Sequence, residues 1–102
     1  MGVHVFEWEK EHTPKEPELE VMLEKKGVNS YRFVMEKNEV YGAHSHDKDE
    51  IRVVVYGEVE FCADGRQHIL KPGDRIHIGA GTVHTVQNLA PYQSVLLGGA
   101  KE

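Results

Sequence analysis

Four residues of this sequence have the types and spacing to hold a divalent cation: His44, His46, Glu50 and His84. Side chains alternate faces along an extended strand, so His44 and His46 point the same way, roughly 6.5–7 Å apart. With metal–nitrogen bonds near ~2.1 Å, two such imidazoles can converge on one ion. Glu50 shares their parity, whereas Asp47 and Asp49 have the opposite one, so alternation selects Glu50 as the carboxylate. His84 lies 34 residues beyond Glu50 and needs a separate strand to bring it back to the same place. Three imidazoles and one carboxylate leave positions open in a five- or six-coordinate shell, which is what distinguishes a reactive metal from a structural one. Nitrogen and oxygen ligands without sulfur suit Mn, Fe, Co, Ni, Cu or Zn alike.

Three further residues are candidates for contact with a small-molecule substrate. Arg52 follows Glu50 with the same parity, which sets a guanidinium beside the metal, suited to a carboxylate or phosphate. Tyr56 continues that face, and Tyr31 shares a face with Phe33 and Met35 that is expected to line the interior, chiefly as core. Tyr31, Tyr56 and His77 are the only weak candidates for an acid or base. His4, His12 and His68 lack partner spacing and read as surface residues; Cys62 reads as a partly exposed bystander.

The elements that must position these residues are short strands, because period-two alternation and turn dipeptides dominate the chain. Residues 3–10 form an expected strand, and 11–17 (EHTPKEP) a proline-punctuated loop. Residues 18–26 (ELEVMLEKK) fit both a helical stripe (Leu19, Met22, Leu23) and a strand face (Leu19, Val21, Leu23). The strand is favoured, because Gly27 then turns the chain into the alternating segment 28–35 as a hairpin. Gly57, Asp64-Gly65 and Pro72-Gly73 mark further reversals. About eight short strands at this spacing predict an all-β barrel or sandwich. Residues 1–17 are expected as an N-terminal strand and loop, and residues 18–102 as the barrel. Ile51, Val53 and Val55 form an apolar row on the face away from Glu50, which requires a cover. The N-terminal strand or a second subunit would supply it, and a homodimer is expected.

The spacing resembles the two sequence motifs of the cupins. Their first motif is Gly, five residues, His-x-His, three or four residues, Glu, six residues, Gly; here it reads Asn38, His44-Ser45-His46, Glu50 and Gly57. Their second is Gly, five residues, Pro-x-Gly, two residues, His, three residues, Asn; here it reads Gly73, Gly79-Ala80-Gly81, His84 and Asn88. Asn38 stands in place of a glycine and is the other residue type most able to take a positive φ. Gly79 stands in place of proline and gives a looser loop before His84. The resemblance implies an RmlC-like double-stranded β-helix, a jelly-roll barrel holding one divalent transition metal with His44, His46, Glu50 and His84.

The chain has 102 residues, 39% of them hydrophobic, which suits one domain with an economical core. Its net charge of −5 and lack of a Lys/Arg cluster argue against nucleic acid. No apolar run approaches the ~20 residues of a membrane span, and no signal peptide is evident. A single cysteine and no leader point to a reducing cytoplasm. The resemblance leaves function broad, since one fold hosts many chemistries. A dioxygenase-like enzyme acting on a small polar or anionic molecule is the first expectation. A metal-dependent isomerase or decarboxylase is a second, and a non-catalytic binding or sensor module a third.

Overall fold

The computed structural model describes residues 2–102. Nine strands and one helix follow in the order β1 (Val3–Phe6), α1 (Glu16–Lys25), β2 (Tyr31–Met35), β3 (Val40–His44), β4 (Glu50–Tyr56), β5 (Val59–Ala63), β6 (Arg66–Leu70), β7 (Arg75–Ile78), β8 (His84–Asn88) and β9 (Ser94–Ala100). They form a five-stranded sheet, β1-β7-β4-β9-β2, facing a four-stranded sheet, β3-β8-β5-β6, with every pairing antiparallel. This is an all-β barrel, as the alternation and turns foretell, in the jelly-roll form that the resemblance implies.

Inward positions from both sheets meet in one core of Met35, Val54, Val59, Phe61, Leu70, Ile76, Ile78, Val86 and Leu96. The reversals behave as their residue types require. Asn38 takes φ +67°, and Asp64 and Gly65 are both left-handed at +53° and +73°. Gly57 (φ +96°) sits so close to Ser94 that an added Cβ would lie 2.1 Å from its Oγ. The Gly79–Gly81 loop, which lacks the rigidity of proline, is tied down instead by hydrogen bonds. Gly81 N–H donates to the His46 carbonyl (2.8 Å), Ala80 N–H to Asp49 Oδ1 (2.8 Å) and Thr82 N–H to the Gly79 carbonyl (3.1 Å).

The expected strand over 18–26 is corrected to a helix, α1. Pro17 lies in its first turn, where no amide donor is needed, with Glu16 and Glu18 at its positive end and Lys25 at the other. Gly27 (φ +81°) does not turn a hairpin; it ends the helix. Its N–H donates to the Glu24 carbonyl and that of Val28 to the Leu23 carbonyl, both at 3.0 Å, which is the Schellman pattern. The helical stripe was the correct alternative: Leu19 and Leu23 are fully buried, while Val21 is 48% exposed.

The same correction supplies the missing cover. Ile51, Val53 and Val55 pack with Leu19, Leu23, Val28, Val95 and Leu97 in a second apolar cluster, beneath α1. The row that argued for a second subunit is therefore closed within one chain. Leu23→Ala is expected to destabilise the fold by about 2–5 kcal/mol, the range for a large-to-small change in a core. Val21→Ala, on the solvent side, should stay within about 0.5 kcal/mol. Urea midpoints of the two variants check the difference; equal losses would mean that α1 does not cap the sheet.

Candidate metal centre

His44 closes β3 and His84 opens β8, where the two are cross-strand partners. His46 lies just beyond β3, in the loop whose carbonyl anchors Gly81. The three rings cluster, with centroids 4.3 Å (His44–His84), 5.0 Å (His44–His46) and 5.3 Å (His46–His84) apart. One ligand atom from each lies within 4.8 Å of the others.

Hydrogen bonding decides which nitrogen faces inward. A backbone carbonyl only accepts, so His44 Nδ1 donates to Gly42 O (2.6 Å) and His84 Nδ1 to Thr82 O (3.0 Å). In neutral rings that leaves the lone pair on Nε2, the atom a metal needs. His46 Nδ1 lies 3.3 Å from Glu50 Oε2, and its Nε2 is buried with no hydrogen-bond partner. A buried polar atom left unpaired is costly, and a cation between the three Nε2 atoms would resolve it. The donor set therefore fits a divalent metal. Burial lowers the pKa of His84, reinforced by the neighbouring His44, His46 and Arg52 and opposed by the Thr82 hydrogen bond. The ring is thus held neutral, as a ligand must be.

Glu50 opens β4 on the facing sheet and stands outside the group of three. Its Oε1 accepts from Arg52 Nη2 at 2.7 Å. Arg52 reaches the interior: its side chain is 14% exposed, and its guanidinium carbon lies 4.2 Å from the Phe33 ring centroid. Burial lowers the Arg52 pKa, while the Glu50 charge and hydrogen bond push it back up. Gly98, its partner on β9, makes room for it, since a Cβ there would fall 2.6 Å from Arg52 Cδ.

These groups bound an interior cavity of about 50 Å³. Its polar lining is His44, His84, Arg52 and Tyr41, and its walls include Phe33, Met35, Phe61, Val86 and Leu96. A larger concavity, about 990 Å³, lies elsewhere, between residues 6–10 and α1, and none of the three histidines lines it.

Of the tyrosines expected inside, neither lines this cavity. Tyr31 is 66% exposed at the open end of β2, and Tyr56 43% exposed at the end of β4. At Tyr56 the pairing with β9 slips by one residue, Val54 opposing Leu96 and Tyr56 opposing Val95, so alternation no longer carries inward. His77 lies on the outer face of β7, accepting a hydrogen bond from Arg75 Nε (3.1 Å). His68, expected at the surface, is half-buried on β6 with its Nε2 unpartnered.

Tyr41 is the residue that alternation conceals. It differs from His44 in parity, yet both line the cavity, because two residues of β3 (Gly42 and Ala43) bulge opposite Thr85 between the Tyr41–Val86 and His44–His84 pairs. The Gly42 in that stretch was the one available signal. Burial raises the Tyr41 pKa, Glu39 adds to the effect and Arg52 opposes it, so the hydroxyl stays protonated at neutral pH.

The sequence model of the cupin domain matches residues 31–97, about two thirds of the chain. The chain belongs to the cupin family. No curated protein matches this cupin in sequence. Among solved structures it is similar to KdgF from Halomonas sp., at 24% identity and TM-score 0.65, over 76% of this chain and 72% of that one. A predicted oxalate decarboxylase from Thermotoga maritima gives 19% identity and TM-score 0.63, over 94% and 76%. Drosophila melanogaster CENP-C bound to CAL1 gives 23% and 0.61, over 71% of this cupin. This cupin spans only 63% of that CENP-C chain. At these identities the likeness is one of fold. Among the described residues of this cupin, no helix is long and apolar enough to cross a membrane.

Proposed function

We propose that this cupin is a metal-dependent, dioxygenase-like enzyme acting on a small anionic molecule. The observation that supports the reading is a cluster of three imidazoles, two of which, His44 and His84, share an apolar-walled cavity with the largely buried Arg52. When bound, a redox-active divalent metal would supply open coordination positions and one-electron chemistry with O₂. The residues of the chain do the rest. Arg52 pairs with the anionic group of the substrate and fixes its orientation. Phe33, Met35, Phe61, Val86 and Leu96 exclude water and so strengthen every charge interaction inside. The Tyr41 hydroxyl, protonated, donates a hydrogen bond to a substrate oxygen. The cavity has room for about three to five water-sized groups, so the interior takes a molecule of a few heavy atoms or one end of a larger one.

Oxygen uptake by the iron- or manganese-loaded protein, with a panel of small hydroxy acids, enediols and phenols, tests this. Arg52→Met should raise KM for an anionic substrate by about 10–100-fold, the loss of one charged hydrogen-bonded pair. No oxygen uptake with any of them would remove the dioxygenase reading.

Tyr41 favours a second reading, in which the metal acts as a Lewis acid for isomerisation or decarboxylation and the phenol carries the proton. The similar Thermotoga structure is described as a predicted oxalate decarboxylase, which is in keeping with it. Turnover that persists without oxygen supports this route. A third reading is a binding or sensor module, in keeping with CENP-C, a protein solved bound to a partner. Saturable ligand binding without turnover would mark it.

A further inference from the structure

We propose that the groove between residues 6–10 and α1 binds a free single-chain carboxylate, its head group on Arg75 and its hydrocarbon tail against Trp8 and Met22. The groove lies on the outer face of the five-stranded sheet, where Phe6 stands opposite Arg75 and Arg75 opposite Val53, in the cluster beneath α1.

The apolar part of the groove is both open and rigid. It measures about 990 Å³ and is walled by Phe6 and Trp8 on one side and by Leu19, Val21 and Met22 on the other. Phe6 and Val21 are exposed, and Trp8 and Met22 are only partly buried. Trp8 is nonetheless fixed: its backbone N–H donates to Asp74 Oδ1 and its Nε1 to the His12 carbonyl, both at 2.8 Å. Gly73 (φ +90°) passes so close to the indole that an added Cβ would lie 2.5 Å from it. With its N–H satisfied, the ring offers a ligand apolar surface alone. A wall already held in place needs no ordering on binding.

Charge is uneven along the groove. At one end Lys10 pairs with Glu18 at 3.0 Å and leans on the Trp8 ring, and His12 Nε2 lies 2.9 Å from the same carboxylate. At the other end stand Arg75, Lys25 and Lys26, three cations against Glu7 and Glu9 of the arm. The Arg75 guanidinium lies 4.4 Å over Phe6, and its Nε donates to His77 Nε2 at 3.1 Å. Among the described residues Arg75 has no ion pair, and its terminal nitrogens find no acceptor. Burial lowers its pKa and Glu9 pushes it back up. Burial also holds His77 neutral, helped by Arg75, Lys26, Lys101 and His4, so this ring accepts from Arg75 and offers it no charge.

A half-buried guanidinium with free terminal donors suits a carboxylate, which takes two of them in parallel. The apolar walls begin beside it, so a ligand that satisfies both carries a hydrocarbon chain behind its head group. A bare anion would leave the walls wet, and a neutral chain would leave Arg75 without an acceptor.

Trp8 is the only tryptophan in the chain, so its emission reports on this groove. Octanoate, decanoate and dodecanoate, each below its micelle concentration, are titrated into the full chain. A saturable change in emission is expected, with Kd falling roughly tenfold for every two methylenes buried. Decanol, with a tail but no charge, and inorganic phosphate, with charge but no tail, are expected to bind at least about tenfold more weakly than decanoate. Arg75→Gln should weaken decanoate by about 10–100-fold and leave decanol unchanged. Val21→Glu, at an exposed helix position, should weaken all three carboxylates severalfold by like-charge repulsion. If Arg75→Gln does not fold, Val21→Glu and the decanol comparison decide. Emission indifferent to all three carboxylates overturns the proposal, as does equal decanoate affinity in wild type and Arg75→Gln. Equal affinity for decanol and decanoate also overturns it. A Trp8 emission that shifts with protein concentration alone would give the groove to a second copy of the chain, and the proposal would fail. None of these readouts involves the metal, so the outcome is independent of the enzyme reading.

Discussion

His44→Ala is expected to lower metal affinity by well over 100-fold, to the point where the protein emerges from purification essentially metal-free. Three imidazoles lie close enough together to share one ion, and removing one takes away a nitrogen donor bound directly to the proposed metal. The loss must therefore exceed the ~10–100-fold typical of an outer partner. His84→Ala should act in the same direction. His84 is only 2% exposed, however, so its removal also opens a cavity beside Phe61. His44, nearer the surface, is the cleaner position. Elemental analysis of the purified variants, with circular dichroism to confirm folding, checks the outcome; wild-type occupancy in His44→Ala would falsify the assignment. Acid should release the metal as well, because a protonated imidazole has no lone pair to give. Burial lowers the pKa of His84, so this ring stays neutral further into acid than an exposed histidine would.

Asn88→Ala should cost at least about 3 kcal/mol of stability. Asn88 ends β8 and is 3% exposed. Its Nδ2 donates to the carbonyls of Met35 (3.2 Å), Glu36 (3.0 Å) and Tyr92 (2.8 Å), and its Oδ1 accepts from Ala90 N–H (3.0 Å) and Ser94 Oγ (2.6 Å). One side chain thus ties the end of β2 to the β8–β9 turn at the end of the barrel away from the histidines. Alanine there would leave several buried polar groups without partners, each costing about 1–3 kcal/mol. Chemical denaturation reads the loss directly; a change below about 1 kcal/mol would mean that water replaces the amide. The metal content of the folded fraction should not change, since Asn88 touches none of the three histidines.

Asn88 also shows how sequence and structure divide the information. Its place in a spaced motif was evident from the residues, but not its task. The motif spacing marks where the chain must turn or hold a cation, and those demands are local. A positive φ at Asn38, Asp64, Gly65 and Gly73 follows from residue type and neighbours alone. Two of the groups that Asn88 binds, the carbonyls of Met35 and Glu36, lie 53 and 52 residues away, and no local pattern encodes that.

The reading of residues 18–26 failed for a related reason. Leu19, Val21, Met22 and Leu23 satisfy both periods, and in a stretch this short periodicity does not choose between them. The choice lies with the apolar row of β4 and β9, which a helix can cover as one ridge. Leu19 and Leu23, one turn apart, supply it; Val21 is left to solvent. The uncovered apolar row and the misassigned strand were thus one error seen from two sides.

Residue types and spacing alone determined an all-β barrel or sandwich, most of its turns and the candidate histidines His44, His46 and His84, because alternation along a strand is a covalent regularity; the jelly-roll form was what the resemblance to cupins implied. Tertiary structure alone decided what surrounds them. A two-residue bulge brings Tyr41 inside, a one-residue slip leaves Tyr56 outside, and the absence of a side chain at Gly98 makes room for Arg52. The same is true of Glu50. Its parity aims it inward, but whether an inward carboxylate meets a cation, an imidazole or a guanidinium depends on which strands lie across the barrel. In this structure its Oε1 accepts from Arg52 Nη2 at 2.7 Å and its Oε2 lies 3.3 Å from His46 Nδ1, distances that only the packed sheets could set.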